Sequence, residues 1–128
     1  SKMIAGNSAL LLADVKSEDV IQSGPFNKNH ATAGTFAFRK EFMEHSSFRM
    51  SDTAGEEVHF LKNWSIPMIQ MHPQDSIIAL SHADNTVNKK KLFEKEDVKG
   101  SLEKLFGDKE ILKIMRDCVR SDWPYKPK

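Results

Sequence analysis

The chain has 128 residues and carries 19 Lys and Arg against 18 Asp and Glu. That length sets one domain as the expectation, with room for one substantial core. The balanced charge excludes a general electrostatic nucleic-acid binder, which carries a basic excess. The one basic cluster, Lys89-Lys90-Lys91, reads as a solvated loop, with a phosphate contact as the alternative.

Cys118 is the single cysteine, so no intrachain disulfide can form. It falls in an apolar-periodic segment and reads as a small core or boundary residue. The N-terminus lacks the charged-then-apolar pattern of a secretory leader. No stretch reaches the roughly 18 apolar residues of a membrane span. These features set a cytoplasmic location as the expectation.

In chain order, Ala9 to Val15 is a short apolar run bounded by polar residues, which predicts a strand buried on both faces. Residues 16–33 are polar and contain Gly24-Pro25, which predicts a long loop of the functional kind. From Gly34 to Arg39 the residues alternate. Phe36 and Phe38 share one face; Thr35, Ala37 and Arg39 share the other, so a strand is predicted. It should lie in one sheet with Ala9–Val15. Phe42 and Met43 begin a short helical turn.

Thr53 and Glu56 stand in the spacing of a capping box, which predicts a helix starting within two residues of Thr53 and turning Val58, Leu61 and Trp64 inward. Ile66–Met71 and Ile77–Leu80 have the length and composition of strands, with Pro67 at a strand start or an edge. Beyond Asn88 the charge rises. Val98, Leu102, Leu105 and Phe106, then Ile111, Met115 and Val119, recur at helical intervals. Gly107-Asp108 separates the two groups as C-cap and N-cap. The expected architecture is α/β or α+β: a single domain over 1–128, with a mixed core over 1–88 and C-terminal helices and tail over 89–128.

Three polar clusters stand at predicted element ends, where a rigid scaffold can hold reactive groups. In Gly55-Glu56-Glu57 a capping role occupies Glu56, while Glu57 is left with either a helix-dipole role or that of a general base. His82, just past a strand end, is a candidate metal ligand or a loop histidine bonded to backbone. Asn85 follows it as a polar contact or a turn residue. In the third cluster, His30, Thr32, Gly34 and Thr35 combine small residues with hydroxyls that suit a sugar, or they form a loop feeding a strand.

The order of these clusters resembles the acceptor-side half of a GT-A-type glycosyltransferase, close to glycosyltransferase family 2. Gly34-Thr35-Phe36-Ala37-Phe38-Arg39-Lys40 matches that family's Gly-Ser/Thr strand ending in a basic pair. Gly55-Glu56-Glu57 matches its acidic pair at a helix start, with Glu in place of the usual Asp. His82 matches its late histidine. The resemblance covers residues 30–88 and implies a partial GT-A-like mixed sheet flanked by helices. It implies Glu57, with Glu56 as the second choice, as the catalytic base toward an acceptor hydroxyl. His30, Thr32, Gly34, Thr35, Arg39 and Asn85 would contact substrate, and His82 would ligate Mn²⁺ or Mg²⁺. The partners implied are a nucleotide-sugar, a sugar or protein acceptor, and an N-terminal nucleotide-binding half or a partner chain. No Asp-x-Asp string occurs in the sequence, so the chain alone is expected to lack transferase activity.

Two other readings compete. One is a non-catalytic α+β interaction module docking through Leu105, Phe106, Met115 and Trp123, residues that would equally pack on the chain's own sheet. The other is a small metal-dependent hydrolase built on His59, His82, Glu56 and Glu57.

Overall fold

The computed structural model describes residues 2–51, 55–82 and 89–120. The chain divides into two units, Ser1–Leu11 with Ser23–Ile78, and Leu12–Gln22 with Ala79–Lys128. The architecture is mixed, with seven short strands and four helices among the described residues.

The first unit holds a three-stranded sheet in the order β4-β1-β5. β1 (Ile4–Gly6) pairs antiparallel with β4 (Ala37–Phe38) and parallel with β5 (Ile69–Gln70). Its core gathers Ile4, Ala31, Phe42, Phe60, Leu61 and Met68. Phe60 is the centre of an aromatic cluster. Phe48 stacks on it at 4.3 Å, and Phe36, Phe38 and Phe42 surround it at 5.4–5.5 Å. Phe36 and Phe38 thus face the same ring, as the alternating pattern predicts.

Three expectations in this unit need correction. The strand predicted over Gly34–Arg39 is reduced to Ala37–Phe38, because Ala33–Thr35 closes into a 3₁₀ turn. The helix predicted near Thr53 begins at Glu57 and ends at Phe60 as α1; Thr53 itself lies outside the described residues. The residues α1 and its end turn inward are Phe60 and Leu61, both fully buried, whereas Val58 is 40% exposed. Four residues make little more than one turn, so packing of Phe60 decides the face rather than periodicity.

The other sheet has the order β6-β2-β3-β7. β2 (Leu10–Asp14) falls inside the run predicted over Ala9–Val15, and β6 (Ile78–Ser81) overlaps the run predicted over Ile77–Leu80, shifted one residue on. β3 (Asp19–Ser23) lies within the stretch predicted as loop. Only Val20 and Ile21 are apolar there, yet both are fully buried. β3 pairs antiparallel with β7 (Gly100–Ser101), and the Lys99 amide donates to the Val20 carbonyl at 2.7 Å. The expectation that Ala9–Val15 and residues 34–39 share one sheet is also corrected, since β2 and β4 belong to different sheets.

The second unit buries Leu12, Ala13, Val20, Ile21, Leu102 and Leu112. Its helices are α2 (Lys90–Lys95), α3 (Leu102–Leu105) and α4 (Lys109–Arg120). The break at Gly107-Asp108 is present, with Asp108 as the predicted N-cap, but the C-cap of α3 is Phe106 rather than Gly107. Asp108 Oδ1 accepts from the amides of Glu110 and Ile111 at 3.0 and 3.1 Å, the geometry of an N-cap. Val98 lies outside any helix and is 55% exposed. Among the described side chains of α4 the buried one is Leu112, while Ile111, predicted inward, is 50% exposed. Arg116 holds this helix to the turn after β2 through a two-pronged contact with Glu18, at 2.6 and 2.7 Å.

Candidate functional site

Polar residues at the end of β1 fix the loop that carries the third cluster. Asn7 is fully buried. Its amide donates to Thr35 Oγ1 (2.9 Å), its carbonyl accepts from the Thr32 amide (3.0 Å), and its Nδ2 donates to the Met71 carbonyl (2.8 Å). The Thr35 hydroxyl in turn donates to the Thr32 carbonyl at 2.7 Å. Ser8 repeats the device. Its Oγ accepts from the amides of Phe26 and Asn27, and its amide donates to Gln70 Oε1. Gln70 Nε2 then donates to the carbonyls of Lys28 and His30, at 3.0 and 2.7 Å. A chain without strand partners here has its backbone groups satisfied by side chains instead.

Close approach accompanies this hydrogen bonding. A Cβ on Gly6 would lie 2.5 Å from the Ala31 Cβ. A Cβ on Gly24, which has φ +80°, would lie 2.2 Å from the Ser8 carbonyl oxygen. Neither position admits a side chain without backbone movement.

His30 lies on this loop, its carbonyl held by Gln70. Its ring packs between Phe26 (5.0 Å, edge-on) and Trp64 (4.6 Å). Its Nδ1 is buried with no hydrogen-bond partner among the described residues. Burial lowers the His30 pKa below its ordinary value, and the Glu57 carboxylate opposes that shift. The two groups therefore act on each other electrostatically. Trp64 ends a run of three residues in the left-handed region: Lys62 at φ 49°, Asn63 at 56° and Trp64 at 63°. Such a conformation costs roughly 1–2 kcal/mol per non-glycine residue, and strain of this kind gathers at functional sites. Asn29 Nδ2 clamps the end of the run by donating to the Trp64 carbonyl at 3.0 Å.

The predicted site residues divide as follows. His30, Thr32, Gly34, Thr35, Arg39, Glu56 and Glu57 fall in the first unit, and His82 in the second. Asn85 lies outside the described residues. Glu57 is half-buried as the first residue of α1, and Glu56 occupies the N-cap position without a side-chain cap. Gly55 is exposed at φ +68°, and among the described residues a Cβ there would meet nothing within 4 Å. Both hydrogen-bonding roles of the Thr35 hydroxyl are filled inside the fold. Gly34 and Arg39 are exposed, and a Cβ on Gly34 would meet nothing closer than Ile77 Cδ1 at 3.9 Å. His59 is exposed, with its Nδ1 3.3 Å from Arg49 Nη2.

Sequence reasoning passed over Asn7, Ser8, Phe26, Trp64 and Gln70. The available signal was Gly6-Asn7-Ser8, a polar trio set between two apolar runs. An open groove of about 370 Å³ lies in the same unit, bounded by Ser8 and Ala9, by residues 25–28 and by Gln70 and Met71.

Among the described residues, no three His, Cys, Asp or Glu side chains gather closely enough to hold a metal ion. His82 is exposed at the end of β6 and supplies a single nitrogen donor, short of the three or more donors a protein-held Mn²⁺ or Mg²⁺ takes from its surroundings. The described residues therefore do not by themselves make a metal site. No family model, curated protein or solved structure matches the chain.

Proposed function

We propose that the chain is the acceptor-side half of a nucleotide-sugar-dependent glycosyltransferase, with Glu57 as the general base. The observation that carries this reading is the position of Glu57. It opens α1 next to the exposed Gly55, it is half-buried, and its charge raises the His30 pKa against the effect of burial. A carboxylate so placed can accept a proton while an aromatic-flanked loop holds an acceptor sugar.

In inverting transfer the acceptor hydroxyl oxygen forms a bond to the anomeric carbon of the donor. The bond from that carbon to the diphosphate oxygen breaks, and the leaving group takes the electron pair. The hydroxyl proton passes to Glu57. Glu56 is the alternative acceptor of that proton. The diphosphate and a Mn²⁺ or Mg²⁺ would be held by a nucleotide-binding half carrying the Asp-x-Asp carboxylates this sequence lacks; the family resemblance names His82 as a further nitrogen ligand, and the ion would neutralise the leaving diphosphate. The single cysteine and the absence of a long apolar helix among the described residues agree with a cytoplasmic setting.

The test is turnover in the polypeptide or complex that contains the donor-binding half. Glu57→Gln should lower turnover by roughly 10²–10⁴-fold with the thermal melt unchanged, because glutamine keeps the size but cannot accept the proton. Full activity in both Glu57→Gln and Glu56→Gln would reduce the acidic pair to a helix start and end the reading.

A second reading is the interaction module: of its expected face Leu105, Phe106 and Met115 are half-buried and Trp123 lies outside the described residues, while Val98, Ile111 and Ile114, 50–62% exposed in the second unit, favour it instead. If it holds, Ile111→Lys with Ile114→Lys should abolish a self-association detectable by sedimentation velocity while leaving the fold intact. A chain that sediments as a monomer at every concentration would set that form of it aside.

A further inference from the structure

We infer that the groove beside Phe26 is a saccharide subsite that takes a pyranose bearing an acidic group. The inference rests on the transferase reading only for calling that sugar an acceptor, since binding can be measured without transfer.

Phe26 is a large aromatic left 66% exposed. Its place is nevertheless fixed. Its amide donates to Ser8 Oγ at 2.8 Å, and its ring sits edge-on to His30. A preorganised aromatic outside the core offers a π face with partial negative charge. A pyranose turns a patch of slightly positive C–H groups toward such a face and keeps its oxygens at the rim.

The rim supplies donors. Asn27 Oδ1 already accepts from the Asn29 amide at 2.8 Å, so Nδ2 is the group left to donate. Lys28 adds an exposed ammonium. The Gln70 amide is consumed by Ser8, Lys28 and His30, so it shapes the wall rather than reading a ligand. Among the described residues no carboxylate borders the groove. Two donors and no carboxylate match a ligand rich in acceptor oxygens, best of all a sugar carboxylate. The groove volume of about 370 Å³ falls within the range of small-ligand sites, about 300–1,000 Å³. Phe26 packs edge-on against His30, so the groove and the histidine ring share one wall of the polar loop.

The experiment titrates the full chain with methyl β-D-glucuronide, methyl α-D-galacturonide, methyl β-D-glucoside and uridine monophosphate, by calorimetry and saturation-transfer NMR. At least one uronide should bind with Kd on the order of 1 mM, and the neutral glucoside several-fold more weakly. Phe26→Ala should weaken uronide binding about tenfold, Phe26→Leu nearly as much, and Phe26→Trp little. Lys28→Gln should erase the preference for the acidic sugar. Thermal melts matching the parent chain confirm that the exposed substitutions leave the fold alone.

Absence of uronide binding, or binding that Phe26→Ala leaves unchanged, overturns the proposal. Uridine monophosphate binding tighter than every sugar, and lost in Phe26→Ala, also overturns it in favour of a base-stacking site. The two readings fail separately. Uronide binding that persists alongside unchanged turnover in Glu57→Gln keeps the subsite and removes the base. Lost turnover in Glu57→Gln without uronide binding does the reverse.

Discussion

Thr35 tests how far a residue chosen for its chemistry serves the fold instead. Its hydroxyl accepts from the buried Asn7 amide and donates to Thr32. Thr35→Val keeps the shape but strands that amide, so chemical denaturation should report a loss of about 1–3 kcal/mol, whereas Thr35→Ser should stay within about 1 kcal/mol. A ligand-binding role alone would leave both variants as stable as the parent. His30 gives the complementary case. Burial lowers its pKa and Glu57 raises it, so Glu57→Gln should lower it further, visible as an acid shift of the imidazole NMR titration. None of this pairing was legible in the sequence. His30 and Glu57 are 27 positions apart along the chain, and Trp64, which packs on the histidine ring, ends a left-handed run that no local pattern announces.

Elements were legible where burial and local pattern agreed. β2 and β5 lie inside predicted apolar runs, β6 overlaps one, and Asp108 caps α4 where its side chain said it would. β3 was hidden because two apolar residues make no pattern, and its pairing with β7 is set from distant sequence. Residues 34–39 alternate correctly, yet the hydroxyl of Thr35 ties their first half into a turn. On α4 the periodicity was real but its phase was not fixed, since Ile111 and Ile114 form one apolar stripe and Leu112 and Met115 form another beside it. Leu112 is 2% exposed and Ile111 50%. Leu112→Ala should therefore cost about 2–5 kcal/mol in a urea titration and Ile111→Ala no more than about 0.5 kcal/mol. Equal losses would mean that the helix presents a different face.

For the whole molecule, the near-balance of charge makes individual groups decisive for pH behaviour. His30 has a folded-state pKa below its ordinary value of 6.5, so the unfolded chain binds that proton more readily. Its contribution is complete above pH 6.5 and is lost as pH falls through the lowered folded value. The Asp14 carboxyl is pulled up by burial, but amide hydrogen bonds from Ser17 and Lys16 outweigh that and hold it below 3.8. Its contribution is present above that value and is lost in stronger acid. The urea midpoint should thus fall between pH 7.5 and 5.5, and His30→Phe, which keeps the aromatic packing, should flatten that fall. An unchanged slope in His30→Phe would place the titrating group elsewhere. The close approaches at Gly6 and Gly24 bear on descent as well as on stability. Surface residues of this chain are free to drift, but any homologue that keeps the fold must keep both positions bare, because the atoms they would strike are a buried methyl and a backbone oxygen. Gly-Asn-Ser followed by 15 residues and then Gly-Pro is therefore the fingerprint by which a remote cousin could be told from a chance resemblance, long after the acidic pair or the histidines had changed.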